Sequence, residues 1–303
     1  MKINKKKSIY KCYLNGGLGN QIFQYILLMW IKDNTNKEIL IIKSDYTGFK
    51  NLYRRIRNVQ PLFFYKWLIS DQKITSEIYI IKRLQARINN HIKPIFKGFL
   101  TNKSFLYYLD KDKKEFLSYI KNSNFLKSSC IYPQILNYEE FKPYWKKIGE
   151  ICARSIDKNN FHNKEKHDLV IHIRKGDYIK GGKNLFSLVT ANYYNNSIQY
   201  FIEKFSINRK LKCLVIGNDL QWAQKILRKD IDFIYQFQSE IIDFYTIATS
   251  KNIITANSSF SFSAAMVSMT TLDETCIVCP KNYYQGANSF GSLKNKNWIS
   301  IEN

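Results

Sequence analysis

Three short segments carry residue types that together suit the grip of an anion. The first is His172-Ile173-Arg174-Lys175-Gly176-Asp177-Tyr178, which closes the apolar run Leu169 to Ile173. In a strand, successive side chains alternate between faces, so His172 and Arg174 point to the same side of its end. A guanidinium there can hold a diphosphate with two parallel charge-assisted hydrogen bonds, and Lys175 adds a second positive charge. The competing reading is an Arg174–Asp177 ion pair that caps a turn, with His172 a satisfied core residue. The second segment, Asn257-Ser258-Ser259-Phe260-Ser261, follows the run Ile253 to Ala256. Its hydroxyl residues are ordinary helix N-caps. They also offer a phosphate what it needs: backbone N–H groups, hydroxyl donors and a favourable helix dipole. The two readings are compatible.

The third segment, Gly16-Gly17-Leu18-Gly19-Asn20-Gln21, follows the run Ile9 to Leu14. Glycines allow a tight turn and a close approach of backbone to ligand. A helix starting at Asn20 would place Asn20 and Gln21 in its first turn, beside unpaired N–H groups. A plain tight turn explains the spacing equally well. The third glycine of a dinucleotide loop is missing, and so is the Lys-Ser/Thr ending of a phosphate loop. Beyond the run Lys212 to Ile216 comes Gly217-Asn218-Asp219. The Asp219 carboxylate there suits either a ribose hydroxyl or base N–H, or a turn cap.

Metal chemistry finds less support. Asp110-Lys111-Asp112 and Asp230-Ile231-Asp232 are D-x-D triplets, but both lie in polar, Lys-rich stretches and read as solvated surface. Cys276-Ile277-Val278-Cys279 has C-x-x-C spacing without a second pair, and apolar residues fill it, so it reads as a buried strand. No metal and no cofactor are expected; cationic side chains take the place of a metal.

These segments need elements to position them. Strand-like runs at 9–14 and 38–42 flank a helical pattern with Ile22, Phe23, Ile26, Leu27 and Trp30 on its apolar stripe, a β-α-β beginning. Residues 45–166 lack clean periods and are expected to be mostly helical. The polar stretch Asp157–Lys166 reads as a boundary, giving domains 1–166 and 167–303. The second half alternates regularly: strands at 169–173, 212–216, 233–235, 253–256 and 275–278, helices at 191–205, 220–227, 240–249 and 259–269. Such alternation predicts an α/β domain, a parallel sheet with helices on both faces. In such sheets ligands bind beyond the carboxyl ends of the strands, where the segments above fall.

The chain has 303 residues, 47 Lys and Arg against 24 Asp and Glu, a formal charge of +23. A chain this basic is drawn to polyanions: nucleic acid, an anionic leaflet or an anionic small substrate. Its basic residues are scattered and no nucleic-acid motif accompanies them, so nucleic acid is not the expected partner. The absence of a long apolar run and of a secretory segment predicts a cytoplasmic protein, peripheral on the inner leaflet through its charge.

Together the segments resemble the α-1,2-fucosyltransferases, glycosyltransferase family 11. Gly16 to Tyr25 is similar to that family's opening motif. His172 to Tyr178 is similar to its His-x-Arg-Arg-Gly-Asp-Tyr motif, with Lys175 where a second Arg is usual. Asn257 to Ser261 is similar to its Asn-Ser-Ser-Phe-Ser segment, and Tyr193-Tyr194 and Pro280-Lys281 fall at its Tyr-Tyr and Pro-Lys. Ile216-Gly217-Asn218-Asp219 stands where the family has Phe-Ser-Asp-Asp. The resemblance implies a GT-B-type fold of two facing Rossmann-like domains. It also implies metal-free, inverting transfer from GDP-β-L-fucose to a hydroxyl, O2 of a galactose, in a bacterial surface glycan such as O-antigen. Arg174 would then stabilise charge on the β-phosphate. Gly17, Gly19, Asn20, Gln21, Lys175, Asp219, Asn257, Ser258, Ser259 and Phe260 would line the donor site. Asp177, ahead of His172, would take the acceptor's proton. The rivals are a transferase of the same framework with another nucleotide sugar or acceptor, a basic nucleic-acid-binding protein, a dinucleotide oxidoreductase and an inactive family member.

Overall fold

The computed structural model describes residues 9–13, 17–35, 37–44, 73–77, 125–126, 138–157, 167–175, 189–205, 211–284, 287–288 and 297–303. The chain divides into two compact units, Met1–Tyr132 and Pro133–Asn303.

In the first unit four parallel strands form a sheet in the order β3-β2-β1-β4. They are β1 (Ile9–Tyr13), β2 (Glu38–Ser44), β3 (Lys73–Glu77) and β4 (Phe125–Leu126). Helix α1 (Leu18–Asn34) connects β1 to β2 and is buried from Leu18 to Ile31 except at Asn20. A helix sealed nearly all round sits inside its unit rather than on its surface. The expectation of mostly helices over 45–166 falls largely outside the described residues, which there comprise the strands at 73–77 and 125–126 and a helix at 138–157; parallel pairing to β2 and β1 decides the two strands, and no local period announces them.

The second unit opens with α2 (Tyr138–Asp157). Its apolar stripe, Phe141, Trp145, Ile148, Ile151 and Cys152, is buried, each large side chain adding about 1.5–3 kcal/mol when fully covered. The stripe side packs on α5 (Glu240–Ala248) and α6 (Ser259–Thr271). That packing places α2 with the second unit, so the compact units part at Tyr132/Pro133, upstream of the 166/167 boundary read from the polar stretch.

Six parallel strands follow. They are β5 (Leu169–Ile173), β6 (Lys212–Gly217), β7 (Asp232–Gln236), β8 (Asn252–Ile254), β9 (Cys276–Pro280) and, beyond the small β10 (Asn282–Tyr284)–β11 (Ala287–Asn288) ribbon, β12 (Ile299–Ile301). Their spatial order is β12-β9-β8-β5-β6-β7. The remaining helices are α3 (Ala191–Phe205) and α4 (Leu220–Ile226).

Alternation along β5 and β6 divides the core. Leu169, Ile171, Ile173, Cys213 and Val215 pack with Tyr193, Tyr194, Ile198 and Phe201 of α3 and Ala223 of α4. The opposite face meets α6, as the ring contact of His172 with Phe260 shows. Both faces are covered, so β5 and β9 are buried throughout while the edge strand β7 is half exposed. The α/β expectation holds, and two parallel-sheet units in series are the parts of a GT-B-type chain. Among the described residues no helix is long and apolar enough to cross a membrane.

Candidate functional site

The chain runs from β5 outward to β6 and β7, then returns to the other side of β5 for β8, β9 and β12. The strand order therefore reverses between β5 and β8, which pair in parallel through Val170–Ile253 and Ile171–Ile254. Such a reversal opens a crevice at the carboxyl ends of the two strands, because their connections leave to opposite faces. Beyond β5 stand Arg174 and Lys175; beyond β8 stand Asn257 and Ser258, then α6. Two segments about 80 residues apart in sequence follow paired strands where a sheet of this order binds ligands.

Arg174 is half buried. Burial raises the carboxyl of Glu240, in the first turn of α5, and the positive charge of Arg174 pulls it part of the way back. His172 is 4% exposed and lies against Phe260, the rings tilted at 33° with centroids 5.3 Å apart. Its Nδ1 finds no hydrogen-bond partner among the described residues. Burial, with a smaller push from Arg174, lowers its imidazole from 6.5 to about 3. The ring is covered and weakly basic, and it lies against Phe260.

Ser258 is the N-cap of α6, its Oγ accepting from the Phe260 amide at 3.3 Å. It is 1% exposed, as is Asn257, whose Nδ2 donates to the Asn282 carbonyl at 3.0 Å. Ser259 and Phe260 are half exposed. The cap and phosphate readings thus divide by residue: Ser258 shapes the turn, and Ser259, in the first turn, presents the helix N-terminus and its dipole.

Asp219 accepts a hydrogen bond from the Lys175 amide at 2.8 Å. Of the two roles open in the sequence, that contact ties the carboxylate to the neighbouring strand end. The turn before it depends on Gly217, whose φ is +148° and whose added Cβ would lie 2.0 Å from the Ile173 carbonyl oxygen. No side chain fits there, so β6 leaves the sheet in direct contact with the end of β5.

Two positions that carried no role in the sequence bind main-chain carbonyls at the ends of β5 and β8. Tyr193 Oη donates to the Thr255 carbonyl at 2.7 Å, and Tyr194 Oη donates to the His172 carbonyl at 3.2 Å. Adjacent tyrosines of one helix thereby hold the two strands that frame the switch point. The adjacency was visible; the two carbonyls were not.

In the first unit, Gly17 is the N-cap of α1 at φ −69°, ψ 173°, without a side-chain cap. The helix starts at Leu18, so Asn20 and Gln21 do lie in its first turn. Asn20 is half exposed; Gly19 and Gln21 are buried. Asp177 and the triplet Asp110-Lys111-Asp112 lie outside the described residues. Asp230 of the second triplet is an exposed partner of Arg228 (2.6 Å), next to the amino end of β7 and so at the end of the parallel sheet opposite Arg174. Cys276 and Cys279 are buried free thiols in β9. Among the described residues no three His, Cys, Asp or Glu cluster as metal ligands do.

Residues 110–302 match glycosyl transferase family 11, and the chain belongs to that family. Across 97% of this chain and 100% of the relative it is 24% identical to the O-antigen biosynthesis glycosyltransferase WbnK of Escherichia coli. It is 28% identical to an α-1,2-colitosyltransferase of Escherichia coli, over 97% of this chain and 99% of that one. The solved fucosyltransferase NodZ from Bradyrhizobium superposes with a TM-score of 0.45 and 11% identity over 86% of this chain and 92% of that one. The protein is a glycosyltransferase.

Proposed function

We propose that this enzyme transfers L-fucose from GDP-β-L-fucose, with inversion, to a hydroxyl of a bacterial surface glycan such as O-antigen, O2 of a galactose being the favoured acceptor. The observation that carries the reading is the meeting of Arg174 and the α6 N-terminus at the β5/β8 switch point. A nucleotide sugar leaves its diphosphate there. As the acceptor oxygen bonds to the anomeric carbon, the bond from that carbon to the β-phosphate oxygen breaks and its electron pair departs with GDP. Arg174 and the amides around Ser259 meet the charge that develops, so no divalent ion is required for that step. The acceptor proton passes to Asp177, since His172 is covered and too weakly basic. With a charge of +23, the enzyme works in the cytoplasm against the anionic inner leaflet, where a lipid-linked acceptor would be presented.

A second donor is favoured by a specific likeness, the 28% identity to a colitosyltransferase over nearly the whole of both chains. Purified enzyme offered fucosyl and colitosyl donors of GDP with a galactose-terminated acceptor separates the two. Arg174→Ala should lower kcat/KM by about a thousandfold while the melting temperature stays within a few degrees. A folded variant that keeps wild-type kcat/KM, or one whose loss of activity follows its loss of fold, would remove Arg174 from this role.

A further inference from the structure

Arg174 and Lys175 follow the end of β5 at Ile173 and meet different neighbours. Arg174 acts electrostatically on His172 and on Glu240 of α5. Lys175 turns toward α4, where its Nζ lies 4.4 Å from the centroid of the Trp222 ring. Its amide meanwhile donates to Asp219, the residue just before α4. The first turn of α4 therefore holds Lys175 at two points, main chain and ammonium.

Trp222 is itself fixed from the other direction. Its ring stands edge-on to Tyr194 at 6.1 Å and 75°, and Tyr194 Oη donates to the carbonyl of His172. The contacts close a loop: His172 to Tyr194, Tyr194 to Trp222, Trp222 to Lys175, and Lys175 back along the chain to Arg174. Gly217 brings α4 close enough for this, since it lets β6 touch Ile173.

We propose that Trp222 and Lys175 form a positioning pair that aims Arg174, and that Lys175 acts through Arg174 rather than as an independent ligand of the nucleotide diphosphate. A cation over an indole face gains attraction from the ring quadrupole, and trapping the flexible lysine stem there fixes the strand exit. An Arg at 175 would stack on the same face, so the pair accepts either cation. The proposal rests on the GDP-sugar reading of the site and assigns the roles of two of its residues.

The test is a set of double-mutant cycles read by calorimetric GDP binding, with thermal melts as the folding control. Lys175→Met is expected to weaken GDP about fivefold to tenfold in the wild-type background, and by less than about twofold when Arg174 is already Ala. Trp222→Leu should reproduce the loss, and Trp222→Leu/Lys175→Met should be no weaker than either single change. Lys175→Arg and Trp222→Phe, which keep a cation and an aromatic face, should stay within about twofold of wild type; both remain informative if Trp222→Leu fails to fold. The proposal falls if Lys175→Met weakens GDP equally with and without Arg174, or if Lys175→Arg behaves like Lys175→Met. Absence of GDP binding by the wild-type chain would overturn the functional reading and this pair with it.

Discussion

Gly17 and Gly217 stand at the carboxyl ends of strands in the two units, and they are glycine for opposite reasons. The two sheets share a pattern: the order β3-β2-β1-β4 of the first recurs as β7-β6-β5-β8 in the second. Gly217 is demanded by the fold, since its φ of +148° and its contact with Ile173 admit no side chain. Gly17 has a backbone that any residue adopts, and among the described residues nothing lies within 4 Å of the Cβ it lacks. The described residues therefore set no steric demand for glycine at the N-terminus of α1. The first unit thus offers bare backbone at its switch point. The second offers charged side chains, with capping and packing contacts that hold them. A glycine in a motif is therefore weak testimony until its surroundings show whether the chain or a ligand uses the space.

The comparison can be broken from either side. Gly217→Ala should destabilise the second unit by about 2–4 kcal/mol, combining an unfavourable φ with a clash that displaces β6 from β5. A melt unchanged within a degree would show that the contact is dispensable. His172 sharpens the contrast through pH. Its folded value of about 3 lies below 6.5 for the exposed ring, so below pH 6.5 the unfolded chain takes up a proton that the folded chain refuses. Stability from this group is complete above pH 6.5 and falls by roughly 1.4 kcal/mol per pH unit down to about pH 3. The carboxyl of Asp243, raised mainly by burial, works in the opposite sense at acid pH. Denaturant melts at pH 7, 6 and 5 should show a shallower decline for His172→Gln than for wild type; parallel curves would mean that His172 titrates freely. Tyr194→Phe removes the hydroxyl that holds the His172 carbonyl and should lower stability by about 1–2 kcal/mol, with kcat falling further than donor KM. Smallest on stability is Gly17→Ala, within about 0.5 kcal/mol of wild type, although donor KM should rise about tenfold. A large loss of stability there would place Gly17 in the same class as Gly217.

The regular second half was legible because its strands are short apolar runs with helices between them, each with its own period. Helix α3 falls on the expected residues 191–205, and β5 on 169–173. The edge strand β12 was not legible: three half-buried residues have no pattern of their own and become a strand only by pairing with β9. The placement of α2 was equally hidden, since an amphipathic helix announces its apolar stripe but not the surface that will cover it. In the site, residue types marked Arg174 and Asn257–Ser259. They could not say that Ser258 would be sealed as a cap, that Asp219 would serve the Lys175 amide, or that Trp222 would lie against Lys175.

The amino-acid order alone determined the alternation of strand and helix, the positive balance and the chemical types gathered at strand ends, because these follow from local periods and from side-chain composition. Only the tertiary structure decided which strands became neighbours. With that it decided which separation of about 80 residues collapsed into one crevice, because parallel pairing is set by burial over the whole sheet and leaves no mark at any single position.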